Sequence, residues 1–277
     1  MKSSPGLRSY AILYLVFLYG PILILPLFAF NDATIVSFPL SGVTTRWFGE
    51  MWQDEALWRA LRTSLQISLS TAVIATALGV LGARAAVRYR WPGKTGVMGL
   101  ILVPLVLPEI IVAMSMLIVL IWLGVPQMWL TVILGHVLIT LPFAVTIMTA
   151  AFQSIDDSFE EAALDLGETP VSAFRLITLP LVMPGMISSF LISFTISIDE
   201  YIIANFLGGN DTVLSVYIYG QFRFPAKVPM VLALGTCLVA ASILLLTIAE
   251  YFRRRGIAKA GGKDSGGFLC PRPTKSP

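Results

Sequence analysis

The chain has 277 residues, of which 56% are hydrophobic and 13% charged, with a mean hydropathy of +0.82. A soluble domain of this length needs far more polar surface, and a net charge of +3 makes no case for nucleic acid. Two cysteines, Cys237 in an apolar run and Cys270 near the end, supply neither a disulfide framework nor a metal site.

Apolar runs long enough to cross a hydrocarbon core of roughly 30 Å recur along the chain. They predict membrane spans at 11–30, 65–87, 97–122, 129–151, 181–207 and 229–252. The fold class expected is therefore an all-α integral membrane protein of about six transmembrane helices. A short N-terminal segment (1–10) precedes the transmembrane domain (11–252). A Gly-, Lys-, Ser- and Pro-rich tail (253–277) follows, with a composition expected to be disordered. The run from Ala11 to Phe30 is too long for a cleavable signal peptide and reads as a retained first helix. Between Asp54 and Leu65, Ala56, Leu57, Ala60, Leu61 and Leu65 fall on one side of a helix. With Trp47, Trp52 and Trp58 they suit a helix lying at the lipid headgroups. Prolines fall inside several spans (Pro21, Pro26, Pro104, Pro108, Pro142, Pro184), where each frees a backbone carbonyl. Gly79 and Gly82 are candidates for close helix packing.

Lys2, Arg8, the Arg84–Lys94 loop, Arg175 and the basic tail lie on one side of a six-span arrangement. Only Arg46, Arg59, Arg62, Arg223 and Lys227 lie on the other, which places both termini in the cytoplasm. The connection 153–180 falls on the cytoplasmic side despite carrying Asp156, Asp157, Glu160, Glu161, Asp165 and Glu168. Its sequence from Ser158 is SFEEAALDLGETPVSAFRLITLP. Ser158 and Glu161 have the spacing of a capping box. Gly167 is placed to end that helix in a left-handed conformation. Thr169 can cap a second helix with Pro170 at its first position, and Pro180 is expected to stop it. Two short helices meeting at a glycine form a shape that can dock in a groove of a soluble partner.

Glu161-Ala162-Ala163, Gly167, Ile177, Leu179 and Pro180 resemble the EAA signature of ABC importer permeases. The resemblance implies that this loop is a coupling element seated in a cytoplasmic ATPase. It also implies a second permease, two ATPase subunits and an external solute-binding protein as partners, in a bacterial inner membrane. ATP and Mg would belong to the ATPase, with no cofactor on this chain. Pro92-Gly93-Lys94-Thr95 ends like a phosphate-binding loop, but Arg88 stands where that motif needs glycine.

Asp199 and Glu200 in the fifth span, with Glu109 in the third, are the candidate substrate-pathway residues. An ionised carboxylate near mid-membrane costs on the order of 3 kcal/mol, so each needs a partner, water or a cationic solute. Neighbouring helical residues point about 100° apart; one of the adjacent pair can face a pore while the other meets a subunit or holds the helix. Hydration near the external interface is the plainer alternative for all three. His136, the only histidine, is expected to be a hydrogen-bonded structural residue. ISIDEYIIANFLGG, PLVLPEIIVAMSML and TTRWFGEMW look like the second permease of spermidine/putrescine importers. Those relatives carry two aspartates at 199–200 and one at 109. The resemblance implies a polyamine solute and a heterodimer. An ABC permease for an amino acid, thiamine or ferric iron, and an ATPase-independent cation carrier or channel, are the rival readings.

Overall fold

A computed structural model describes residues 5–156 and 158–259. Helix α1 spans Pro5–Ala29, α2 Arg46–Gln53, α3 Glu55–Arg88, and α4 Lys94–Leu102 with a 3-10 turn at Val103–Leu105. Next come α5 (Glu109–Trp122), α6 (Trp129–Gln153) and α7 (Ser158–Asp165). Helix α8 (Pro170–Ala173) continues through a π-helical stretch, Phe174–Thr178, into α9 (Leu179–Asp199). The chain finishes with α10 (Ile202–Leu207), α11 (Leu214–Gln221), a 3-10 turn at Pro225–Lys227, and α12 (Val228–Lys259). Among the described residues no strand forms; an isolated bridge pairs Asn31 with Val43.

Five helices among these residues are long and apolar enough to cross a membrane. The segment 94–122 makes a sixth if its two helices, bent by 107°, count as one span. The break falls at Val106–Pro108, where proline lacks a donor and biases the residue before it away from helix. Pro21, Pro26, Pro142 and Pro184 stay inside continuous helix. Thr146 Oγ1 donates to the Pro142 carbonyl at 2.8 Å and Ser188 Oγ to that of Pro184 at 2.9 Å.

Several expected boundaries change. The 54–65 segment is no separate surface helix but the first turns of α3, since no breaker falls between Glu55 and Arg88. The fifth span ends at Asp199, and Glu200 is extended (φ −69°, ψ 123°) before α10 begins. Pro180 does not stop a helix: Pro170–Asp199 runs as one. The π stretch accounts for this, because the Leu179 amide reaches back to Phe174 O. The wider turn relieves the clash between the proline ring and the preceding turn. Helix α12 continues to Lys259; residues 1–4 and 260–277 of the expected terminal segments lie outside the described residues.

Two compact units divide the chain, 1–53 with 224–277 and 54–223. In the first, α12 packs against α1 and α2. Trp47, expected at the headgroups, is instead buried beside Ala29 and Ala233. Its indole N–H donates to Asn31 O at 2.8 Å. The Asn31 carboxamide oxygen accepts from the Ser41 amide at 3.0 Å, so the 31–43 turn is pinned from both sides.

In the second unit α3, α6 and α9 pack pairwise. Gly79 lies against the Ala144 backbone, the close approach expected of a small residue in a membrane interface. The seam between these helices is polar and buried. Thr76 Oγ1 meets Ser189 Oγ at 3.3 Å, and His136 Nδ1 meets Ser197 Oγ at 2.8 Å. His136 is thus the hydrogen-bonded residue expected. Interhelical bonds of this kind average about 0.6 kcal/mol in membranes, so they set register more than stability.

Candidate functional site

The connection after α6 is built as two short helices around one glycine. Asp156 Oδ1 accepts the Ser158 amide at 2.9 Å, which holds the first residue of α7. The helix ends in a Schellman turn. The Gly167 amide donates to Leu164 O at 2.9 Å and the Glu168 amide to Ala163 O at 3.1 Å. Gly167 has φ +90°, as expected from the sequence. Thr169 Oγ1 accepts the Ser172 amide at 3.2 Å and Pro170 occupies the first turn of α8. Ala163 and Ala173 are buried in the crease between the helices.

Of the residues expected to contact a partner, Glu161, Ala162, Ala163 and Gly167 lie on α7 and its terminal turn. Ile177 lies in the π stretch, and Leu179 and Pro180 open α9. Glu161 is the one of them that lines a cavity of about 320 Å3, together with Arg84, Arg88, Tyr89, Glu160, Leu164 and Pro170.

Two residues of this region were not among the expected site residues. Arg84, on the last turns of α3, reads in the sequence only as the start of a basic cytoplasmic loop. Its Nη2 contacts Glu160 Oε1 at 2.7 Å, with both side chains less than one fifth exposed. Its guanidinium also lies 4.0 Å above the Phe174 ring. The other carboxylate oxygen of Glu160 accepts the Thr178 hydroxyl at 3.1 Å. Charge-assisted hydrogen bonds of this sort contribute roughly 1.5–3 kcal/mol. The acidic run in the sequence offers Glu160 and Glu161 equally, and no local spacing shows which one turns toward Arg84, 76 residues away.

The candidate pathway acids separate. Glu200 is buried and its Oε1 accepts the Ile203 amide at 2.8 Å, so it organises the start of α10. Ser215 Oγ donates to the Glu200 carbonyl at 2.8 Å. Asp199 and Glu109 are exposed on this chain, and Glu109 is near enough to Glu200 for their charges to interact. The Tyr201 ring packs against that of Tyr219 with centroids 4.6 Å apart and planes tilted by 40°, and Tyr219 is half exposed. Tyr201 adjoins the acids in sequence, but Tyr219 joins them only through the fold.

A polar rim flanks this cluster. Ser64 Oγ accepts the Leu214 amide at 2.7 Å, Tyr217 donates to Asp54 Oδ2 at 2.7 Å, and the Trp129 amide donates to Asp211 Oδ2 at 2.9 Å. Arg59, Thr63, Asn210 and Thr212 line the adjoining cavity of about 440 Å3. Burial, and then the Asp54 carboxylate, raise the Tyr217 phenol above its ordinary value. A raised phenol favours the neutral form in the fold. The stabilisation is therefore present below the ordinary tyrosine value of about 10 and is lost as pH rises beyond it. Asp54→Ala is expected to lower the Tyr217 ionisation midpoint in an ultraviolet absorbance titration. An unchanged midpoint leaves burial as the whole cause.

Five helices long and apolar enough to cross a membrane, among the described residues, define a multi-pass membrane protein. The chain belongs to the family of binding-protein-dependent transport system inner membrane components, whose model matches residues 75–257. It is similar to the putrescine transport system permease protein PotI of Escherichia coli (strain K12), with 35% identity over 268 residues. That match covers 92% of this chain and 95% of the relative. The spermidine/putrescine transport system permease protein PotC of Shigella flexneri is 32% identical, covering 90% of this chain and 93% of the relative. In fold, the chain resembles a bacterial ABC transporter involved in import of the acidic polysaccharide alginate. The TM-score is 0.71 at 17% identity, covering 91% of this chain and 99% of that one.

Proposed function

We propose that this chain is one of two non-identical permease subunits in an ATP-driven polyamine importer, with both termini in the cytoplasm. Two cytoplasmic ATPase subunits carry ATP and Mg, and an external binding protein delivers the solute. The observation that carries this reading is the Schellman turn at Gly167 joining two capped helices within the EAA pattern. In this reading Glu161, Ala162, Ala163, Gly167, Ile177, Leu179 and Pro180 form the face that meets the ATPase. The names of the PotI and PotC relatives support putrescine or spermidine as solute. Glu109 and Asp199 are exposed, and Asp199 lies two residues from Tyr201 of the Tyr201–Tyr219 pair; carboxylates with aromatic faces suit spaced ammonium groups. Glu200 supports Asp199 by fixing the turn that follows it.

Reconstitution with the partner permease, ATPase and binding protein tests the proposal through uptake of labelled putrescine and spermidine. Uptake that requires ATP is expected. Uptake of neither amine, with another solute stimulating ATP hydrolysis, removes the polyamine assignment and keeps the permease. Uptake by this chain alone without ATP overturns the importer reading.

A further inference from the structure

We infer that Arg84, Glu160 and Thr178 form a rigid joint that ties the coupling helix to two membrane spans at once, so that α7 cannot move without carrying both. The inference rests on the proposed coupling role of the 158–178 loop and names the residues through which its motion leaves it. Its basis is connectivity. Glu160 lies on α7, Arg84 at the end of the span α3, and Thr178 in the π stretch that leads into the span α9. One carboxylate serves both partners with separate oxygens, 2.7 Å to Arg84 and 3.1 Å to Thr178.

The surroundings limit slack in this joint. Thr178 is buried, and neither charged side chain is more than one fifth exposed. Phe174 sits 4.0 Å beneath the guanidinium and blocks its retreat on that side. The π stretch, which is often found at functional positions, contains both Phe174 and Thr178. None of the three bridging residues belongs to the EAA pattern itself. They connect α7, which carries the proposed docking residues, to the spans.

The test uses the assembled transporter in liposomes and reads solute imported per ATP hydrolysed. Arg84→Gln and Glu160→Gln are each expected to lower that ratio about fivefold or more, with the partners still co-purifying. The double substitution is expected to cost no more than either single one, because both remove the same contact. Thr178→Val, which keeps the shape and removes the hydroxyl, is expected to lower the ratio by a smaller factor. An unchanged ratio in the single variants overturns the joint. So does a loss seen only together with failed assembly, or losses that multiply in the double variant. The parent reading fails differently: wild-type uptake that ignores ATP sinks the importer itself, whereas ATP-dependent wild-type uptake with unaltered variants sinks the joint alone.

Discussion

Gly167→Val is expected to cut ATP-driven uptake by about tenfold or more while the chain still inserts and assembles. A Cβ at this position meets nothing within 4 Å, so sterics with neighbours are not the cause. The cause is the backbone. At φ +90° an L residue is strained, and the left-handed region costs roughly 1–2 kcal/mol even for unbranched side chains. Each 1.4 kcal/mol or so shifts a conformational equilibrium about tenfold, and valine, branched at Cβ, adds to the cost. The turn then opens, the Glu168–Ala163 bond is lost, and α8 leaves its angle to α7. Gly167→Asn provides the contrast, since asparagine enters the left-handed region more readily than other residues. It is expected to retain most of the uptake. Full activity in the valine variant would show that this turn does not shape the coupling face.

A second large effect is expected at Gly79, this time on folding. A Cβ there would stand 3.0 Å from both the Ala144 carbonyl carbon and its Cβ, and 3.1 Å from its oxygen. Those are mostly backbone atoms and cannot rotate aside. Gly79→Ile must therefore separate α3 from α6, and overpacking of this kind costs about 1–3 kcal/mol or more. A marked fall in the thermal unfolding temperature of the detergent-solubilised protein is expected. Gly82→Ala should be nearly silent, because its Cβ would sit at an ordinary 3.5 Å from Val145 Cγ2. Equal stability of the two variants would mean that the α3–α6 interface is looser than this geometry requires.

The membrane class, the spans and the Gly167 turn were all legible in the sequence because each depends on local signals. Hydropathy marks the spans, and glycine, threonine and proline mark the caps. The rest depends on geometry that residue type and spacing do not specify. Pro180 reads as a helix stop, but the π stretch before it absorbs the missing donor. Pro108 reads as one of several prolines inside spans, and at it alone the segment bends by 107°. For Asp199 and Glu200 the sequence leaves open which one holds the helix. The fold exposes the first and spends the second on the Ile203 amide. Arg84 reads as an ordinary flanking cation until the fold brings Glu160 to it. Pairings across 76 residues leave no periodicity to detect.

The continuity of Pro170–Asp199 has a mechanical consequence. Thirty residues of unbroken helix make a lever about 45 Å long, with the junction to α7 at one end and Asp199 at the other. A tilt of a few degrees at the junction displaces the far end by several ångströms, with no hinge required between them. The stroke at Asp199 is then set by the length of this arm and by the position of its pivot along the arm.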